Sequence, residues 1–281
     1  MAHNRTLNGR RDEKRQAATS PWGRRLRLLG VAGIGAGLIA GGLGVYVTYF
    51  GVIPDSVAIL FPQVVAPSAE DRVLVFSPHP DDETLGAAGY MARAIRNGGE
   101  AAVVVATDGN RRGLKEKRRG ETLRAMEALG VPEEAVEFWD YPDGRLSEHA
   151  DQLPARIREA VLAFDPTIVV FPNPADGHRD HSALGATVAA YLDGAAYGGI
   201  RLQYLVHFPN FPRPEGLSAS RHLLPPARLI TRDRAWLVFP LDSELQDAKH
   251  EAILQYKSQL KIPTLRLLLL SFVRQNELFS N

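Results

Sequence analysis

From Arg72 onward the sequence alternates between short apolar, β-branched runs and stretches of helical periodicity. That alternation leaves few architectures open. RVLVF (72–76), EAAVVVAT (100–107), VEFWD (136–140) and TIVVF (167–171) read as strands. Between them lie helical segments at Thr84–Asn97, stopped by Gly98-Gly99, at Lys115–Leu129, closed by Gly130, and at Gln152–Phe164. Ser182–Leu192 reads as the next helix, LQYLV (202–206) and AWLVF (235–239) as later strands, and Asp242–Leu260 as one long helix. Near-continuous apolar strands separated by helices predict an α/β fold, a Rossmann-like, mostly parallel sheet with helices on both faces. In the commonest doubly wound order, 3-2-1-4-5, strands one and four are neighbours, and ligands bind outside their carboxyl ends.

The N-terminus follows different rules. Residues 1–27 hold eight Arg/Lys and two acids, and Leu28–Ile53 then runs 26 residues without a charge. As a helix that run spans about 39 Å, more than the ~30 Å of a bilayer core. Tyr46, Tyr49 and Phe50 stand at its far end, as interface anchors do. A buried core helix and a cleaved signal peptide, with Ala66–Ala69 as cleavage site, are the rival readings. The expectation is an uncleaved anchor with its basic flank in the cytoplasm, which places residues 54–281 across the membrane. Gly33, Gly37 and Gly41 form a small-residue stripe that reads either as the glycine common in membrane helices or as a surface for pairing into a homo-oligomer. The expected organisation is a basic cytoplasmic tail (1–27), a transmembrane anchor (28–53), a Pro/Ala/Ser-rich linker (54–71) and one domain (72–281).

The formal net charge of +1 gives no reason to expect a nucleic-acid partner, and the absence of cysteine excludes disulfides, Cys-zinc sites and thiol nucleophiles. The chemistry concentrates at two strand ends instead. SPHPDDETLG follows strand one and offers His79, Asp81, Asp82 and Glu83. NPADGHRDH follows strand four and offers Asp176, His178, Asp180 and His181. Crowded carboxylates repel unless a cation or proton holds them together. A helix start needs one capping acid, not three beside a histidine. Two imidazoles and a carboxylate are a usual catalytic zinc set, so a metal site shared by both segments is expected. The basic run Arg111, Arg112, Lys115, Lys117, Arg118 and Arg119 reads either as a solvated helix face or as a rim for anionic groups. LRLLLLSFV (265–273) is too short to span a bilayer and reads as a buried helix, with a membrane-dipping edge as the alternative.

These motifs resemble the PIG-L/LmbE-like family of zinc-dependent N-deacetylases. The resemblance covers most of residues 72–260. It rests on PHPDDE, TDG (107–109), R-x-x-E-x3-A-x3-LGV from Arg118, YPDGRL (141–146), D-x-H-x-DH (176–181) and K-x2-A-x3-Y-x-SQ (249–259). The resemblance implies zinc, or another divalent metal, on His79, Asp82 and His181, with Asp81 as general base. It implies that His178 stabilises the oxyanion or protonates the leaving amine, that Asp180 orients an imidazole, and that Arg118 and Asp143 contact the sugar. Some members carry a Tyr acid where this chain has Asp176, which leaves the general acid between His178 and Asp81. The implied partner is an amino-sugar glycan or glycolipid, deacetylated at the cell envelope. A larger acyl group, a non-catalytic glycan-binding module and a metallophosphoesterase are the other readings.

Overall fold

The computed structural model describes residues 21–50, 53–111 and 113–281. Most of the basic tail and Arg112 of the basic run lie outside them. The chain divides into two compact units, Met1–Val52 and Ile53–Asn281. In the first, α1 (Pro21–Phe50) is a single 30-residue helix. Its Leu29–Tyr46 window is long and apolar enough to cross a membrane, judged by length and composition.

In the second unit, parallel strands β1 (Arg72–Ser77), β2 (Glu100–Thr107), β3 (Val136–Tyr141), β4 (Ile168–Pro172) and β5 (Ile200–Tyr204) take the anticipated order. Two further strands, β6 (Trp236–Pro240) and β7 (Asn276–Ser280), make the sheet mixed. The full order is β3-β2-β1-β4-β5-β7-β6, with β7 antiparallel to both its neighbours. The helices of this unit are α2 (Asp82–Arg96), α3 (Lys115–Leu129), α4 (Leu153–Phe164), α5 (Arg179–Gly194), α6 (Ser243–Ile253), α7 (Lys257–Leu260) and α8 (Pro263–Leu270).

Strand side chains alternate between two cores, as the pleat requires. Val73 and Val75 join Met91, Met126 and Ile253 on one face, under α2, α3 and α6. Leu74 and Phe76 join Ile157 and Val188 on the other, under α4 and α5. Both helix layers come very close to the strand ends. A Cβ on Gly185 of α5 would lie 2.1 Å from the Pro172 carbonyl oxygen, and one on Gly86 of α2 would lie 2.5 Å from the Tyr204 ring. Only glycine lets these helices start hard against β4 and β5.

Three expectations need correction. The segment Asp242–Leu260 is not one helix: it breaks after Ile253, and Tyr256 sits between α6 and α7. The break is structural, because it turns the fully buried Tyr256 hydroxyl onto Glu83. The leucine-rich run is a helix, but only Leu269 of α8 is buried. Residues 54–71 are not free of the sheet, since Val64 N donates to the Val238 carbonyl at 2.9 Å and Gln63 pairs with Val238.

Candidate active site

The turn after β1 is built around an unusual backbone. Asp81 has φ 119°, a left-handed conformation that costs a non-glycine residue strain. Several contacts hold it there. Its carbonyl accepts from Thr84 N at 3.1 Å and Leu85 N at 2.9 Å, starting α2, and its own N–H donates to Glu83 Oε2 at 3.2 Å. Glu83 is fully buried and also accepts from Ser77 Oγ at 2.8 Å and from the Tyr256 hydroxyl. Arg118 reaches over from α3, donating to the Pro80 carbonyl and to Asp81 Oδ2 at 3.2 Å.

The β4 end supplies the facing half. His178 caps α5 with its side chain, Nδ1 accepting from Asp180 N at 3.2 Å. The two segments meet as the topology predicts. His79 Nδ1 and His181 Nε2 each lie 3.0 Å from Asp82 Oδ2 and 3.2 Å from one another. Tetrahedral zinc with bonds of 2.0–2.1 Å places its donors about 3.3 Å apart, so this triangle fits the ion in both size and chemistry. A carboxylate stands behind each opposite nitrogen, within hydrogen-bond geometry for His79 and as a close ionic contact for His181. His79 Nε2 lies 3.1 Å from Asp180, and His181 Nδ1 lies 3.3 Å from Asp176. Such outer carboxylates fix the ring tautomer and orientation of metal-bound histidines. Asp180 is itself held by Gly144 N at 2.7 Å and Leu146 N at 3.0 Å, and Asp176 by Val206 N and His207 N, each at 2.9 Å. Among the described residues, His79/His178/His181, Asp82/His181/His207 and His79/Asp143/Asp180 also bring their ligand atoms within 4.8 Å of one another.

The electrostatics have one theme. Burial works against the His79 and His181 imidazolium ions, yet the carboxylates around them prevail and push the pKa values up to about 9 and about 10. Burial also opposes the Asp82 carboxylate, but the two histidines hold it well below its usual range. The carboxylates thus favour positive charge at the place where the imidazoles meet, as a site for a divalent cation would. Asp81 differs: burial pushes it up to about 7, against the pull of Arg118. Burial, followed by the neighbouring imidazoles, pushes His178 down to about 4.

The expected sugar-contacting residues line the same cavity, of about 540 Å³, with His79, Asp81, Asp82 and His178. Arg118 is buried and committed to the Asp81 turn, while Asp143 lies 3.5 Å from His79 Nε2. Asp180 is buried behind the imidazoles and does not line the cavity. Sequence reading missed His207, which follows β5, lines the cavity and sits 4.7 Å ring to ring from His181. Its only sequence signal was a histidine just past an apolar strand. The K-x2-A-x3-Y-x-SQ run is now explained. Lys249 Nζ donates to the Leu85 carbonyl at 2.8 Å and Glu277 Oε1 at 2.7 Å, Tyr256 holds Glu83, and Ser258 Oγ donates to Glu121 at 2.6 Å.

Comparison with known proteins points to one family. The family described as PIG-L, GlcNAc-PI de-N-acetylase, matches residues 74–192, the stretch that carries both halves of the cluster. Residues 74–192 are a PIG-L family domain. A 1D-myo-inositol 2-acetamido-2-deoxy-alpha-D-glucopyranoside deacetylase of Kineococcus radiotolerans is 30% identical over 169 residues, covering 45% of this chain and 46% of that protein. A diacetylchitobiose deacetylase of Thermococcus kodakarensis is 27% identical over 156 residues, covering 51% and 53%. The chain thus spans about half the length of these curated relatives. The crystal structure of a conserved protein from Thermus thermophilus superposes with a TM-score of 0.51 at 25% identity, covering 68% of this chain and 80% of that one. The α/β scaffold of residues 53–281 is thus similar to one seen in a solved structure.

Proposed function

We propose that this chain hydrolyses the N-acetyl group of an N-acetylglucosamine-type glycan or glycolipid at the cell envelope, in a zinc-dependent reaction. The observation that carries this reading is the donor triangle of His79, Asp82 and His181, with the unligated carboxyl of Asp81 beside it at one cavity. The relatives named as deacetylases of acetamido sugars support the substrate class. Another divalent metal could serve the same donors.

In this reading His79, Asp82 and His181 hold the metal, which supplies Lewis acidity and an acidified water when bound. Asp81 takes a proton from the attacking water. His178 receives the oxyanion: because Nδ1 accepts from Asp180 N, the neutral ring carries its proton on Nε2 and offers a donor there. Asp81 then returns its proton to the amide nitrogen, and the C–N bond breaks to give acetate and a free amine. Arg118 keeps Asp81 in place and, with Asp143, borders the space for the sugar. Asp180 and Asp176 keep the two ligand imidazoles oriented. The apolar run of residues 28–53 anchors the enzyme, with the domain of residues 72–281 on the extracytoplasmic side.

The test is acetate release by the zinc-loaded protein across N-acetylglucosaminyl glycans and glycolipids. Release with an equivalent new amine is expected from at least one class. No release from any of them, with zinc bound, would sink the reading.

A further inference from the structure

The cavity that holds the cluster has two unlike walls. One is the polar constellation; the other is aliphatic and comes chiefly from α8. Ile262, Leu265, Leu268 and Leu269 recur at helical spacing, so they share one side of the helix, and all four line the cavity. Leu265 and Leu268 pack on the core with one edge and remain half-exposed along the other. Leu267, off this stripe, points elsewhere and is 45% exposed.

An acetyl group offers a single methyl to such a surface. Aliphatic side chains left wet at a catalytic cavity mark a ligand-binding groove rather than spare core. We infer that the α8 wall binds an aliphatic chain carried by the substrate, either as its acyl group or as its aglycone. The inference rests on the proposed amide hydrolysis of an amino sugar and names what else that substrate carries. The reacting amide lies against the polar wall, and the chain lies along Ile262, Leu265 and Leu268. Buried methylenes contribute enough that only two of them correspond to an affinity gain of about ten-fold or more.

The test is calorimetric binding to the zinc-loaded full chain in nanodiscs, with empty nanodiscs as the blank. Octyl and methyl 2-amino-2-deoxyglucoside probe the aglycone arm, and octanoate and acetate probe the acyl arm. None of the four can be deacetylated, so the result is independent of turnover. One octyl-bearing ligand should bind at least ten-fold tighter than its short partner, and the arm that gains identifies the source. Leu265→Ser/Leu268→Ser should erase that ratio, while Leu267→Ser should keep it. No gain in either arm, or a gain unchanged in the double variant, overturns the inference. Failure of the hydrolysis reading would appear separately, as zinc-loaded protein that frees no new amine from N-acetyl or N-octanoyl amino sugars.

Discussion

Adjacent carboxylates usually share a fate, yet Asp81 and Asp82 face different partners because the backbone between them turns through a left-handed residue. Asp82 points into the imidazole pair, and Asp81 toward Arg118 and the cavity. Asp81→Asn should therefore keep its zinc and lose about 10²–10⁴-fold in kcat. Metal content and turnover measured on one preparation decide this, and unchanged turnover would remove Asp81 as the base. The carboxylate behind His79 acts through orientation. Asp180→Ala should weaken zinc affinity about 10–100-fold, read by competition with a chelator. An affinity equal to the parent's would show that the brace is dispensable.

At the scale of elements, α6 owes its start to Asp242, whose Oδ1 accepts from Leu245 N at 2.9 Å. That backbone hydrogen bond, with Arg93 nearby, holds the Asp242 carboxyl below its ordinary 3.8. A lowered carboxyl contributes stability that is fully present above the unfolded value and disappears as pH falls through the folded one. Asp242→Ala should cost about 1 kcal/mol, about 2–4 °C in Tm, at pH 7, with the gap closing as pH falls below the ordinary carboxyl value of 3.8. A gap of the same size in acid would count against the cap. The five parallel strands were legible as largely apolar runs between helix signals, whereas their order was taken from the commonest doubly wound class, not from the residues. β7 was not, since Asn276, Glu277 and Ser280 look like loop residues; inside the fold Glu277 answers Lys249 and two α2 N–H groups. Periodicity alone ran α6 into α7, because it cannot see that Tyr256 is needed by Glu83. The metal-capable residues were legible from their density, whereas His207 has no acid beside it in sequence and meets the cluster only through β5. Likewise, four consecutive leucines in α8 signalled a core, but a sequence does not say that the other side of a helix borders a cavity.

At the scale of the whole molecule, the proposed anchor makes a prediction about sides. If the basic flank of residues 1–27 stays in the cytoplasm as proposed, protease added outside intact cells should digest the chain beyond Ile53. Protection, with the outer face shown to be accessible, would reverse the orientation. The sheet carries a further consequence in the order of its strands. β5 and β6 are not neighbours; β7 lies between them and comes after both in the chain. A nascent chain that has emerged from the ribosome through β6 thus presents two facing strands with nothing to join them. Open edges of this kind are where other chains add on. Residues 276–280 close that gap and, through Glu277, tie down Lys249 and the helix that begins at Asp82. Synthesis therefore passes through a window in which the catalytic loops already exist but the sheet behind them is unfinished, and any factor that guards this protein during translation is needed in that interval.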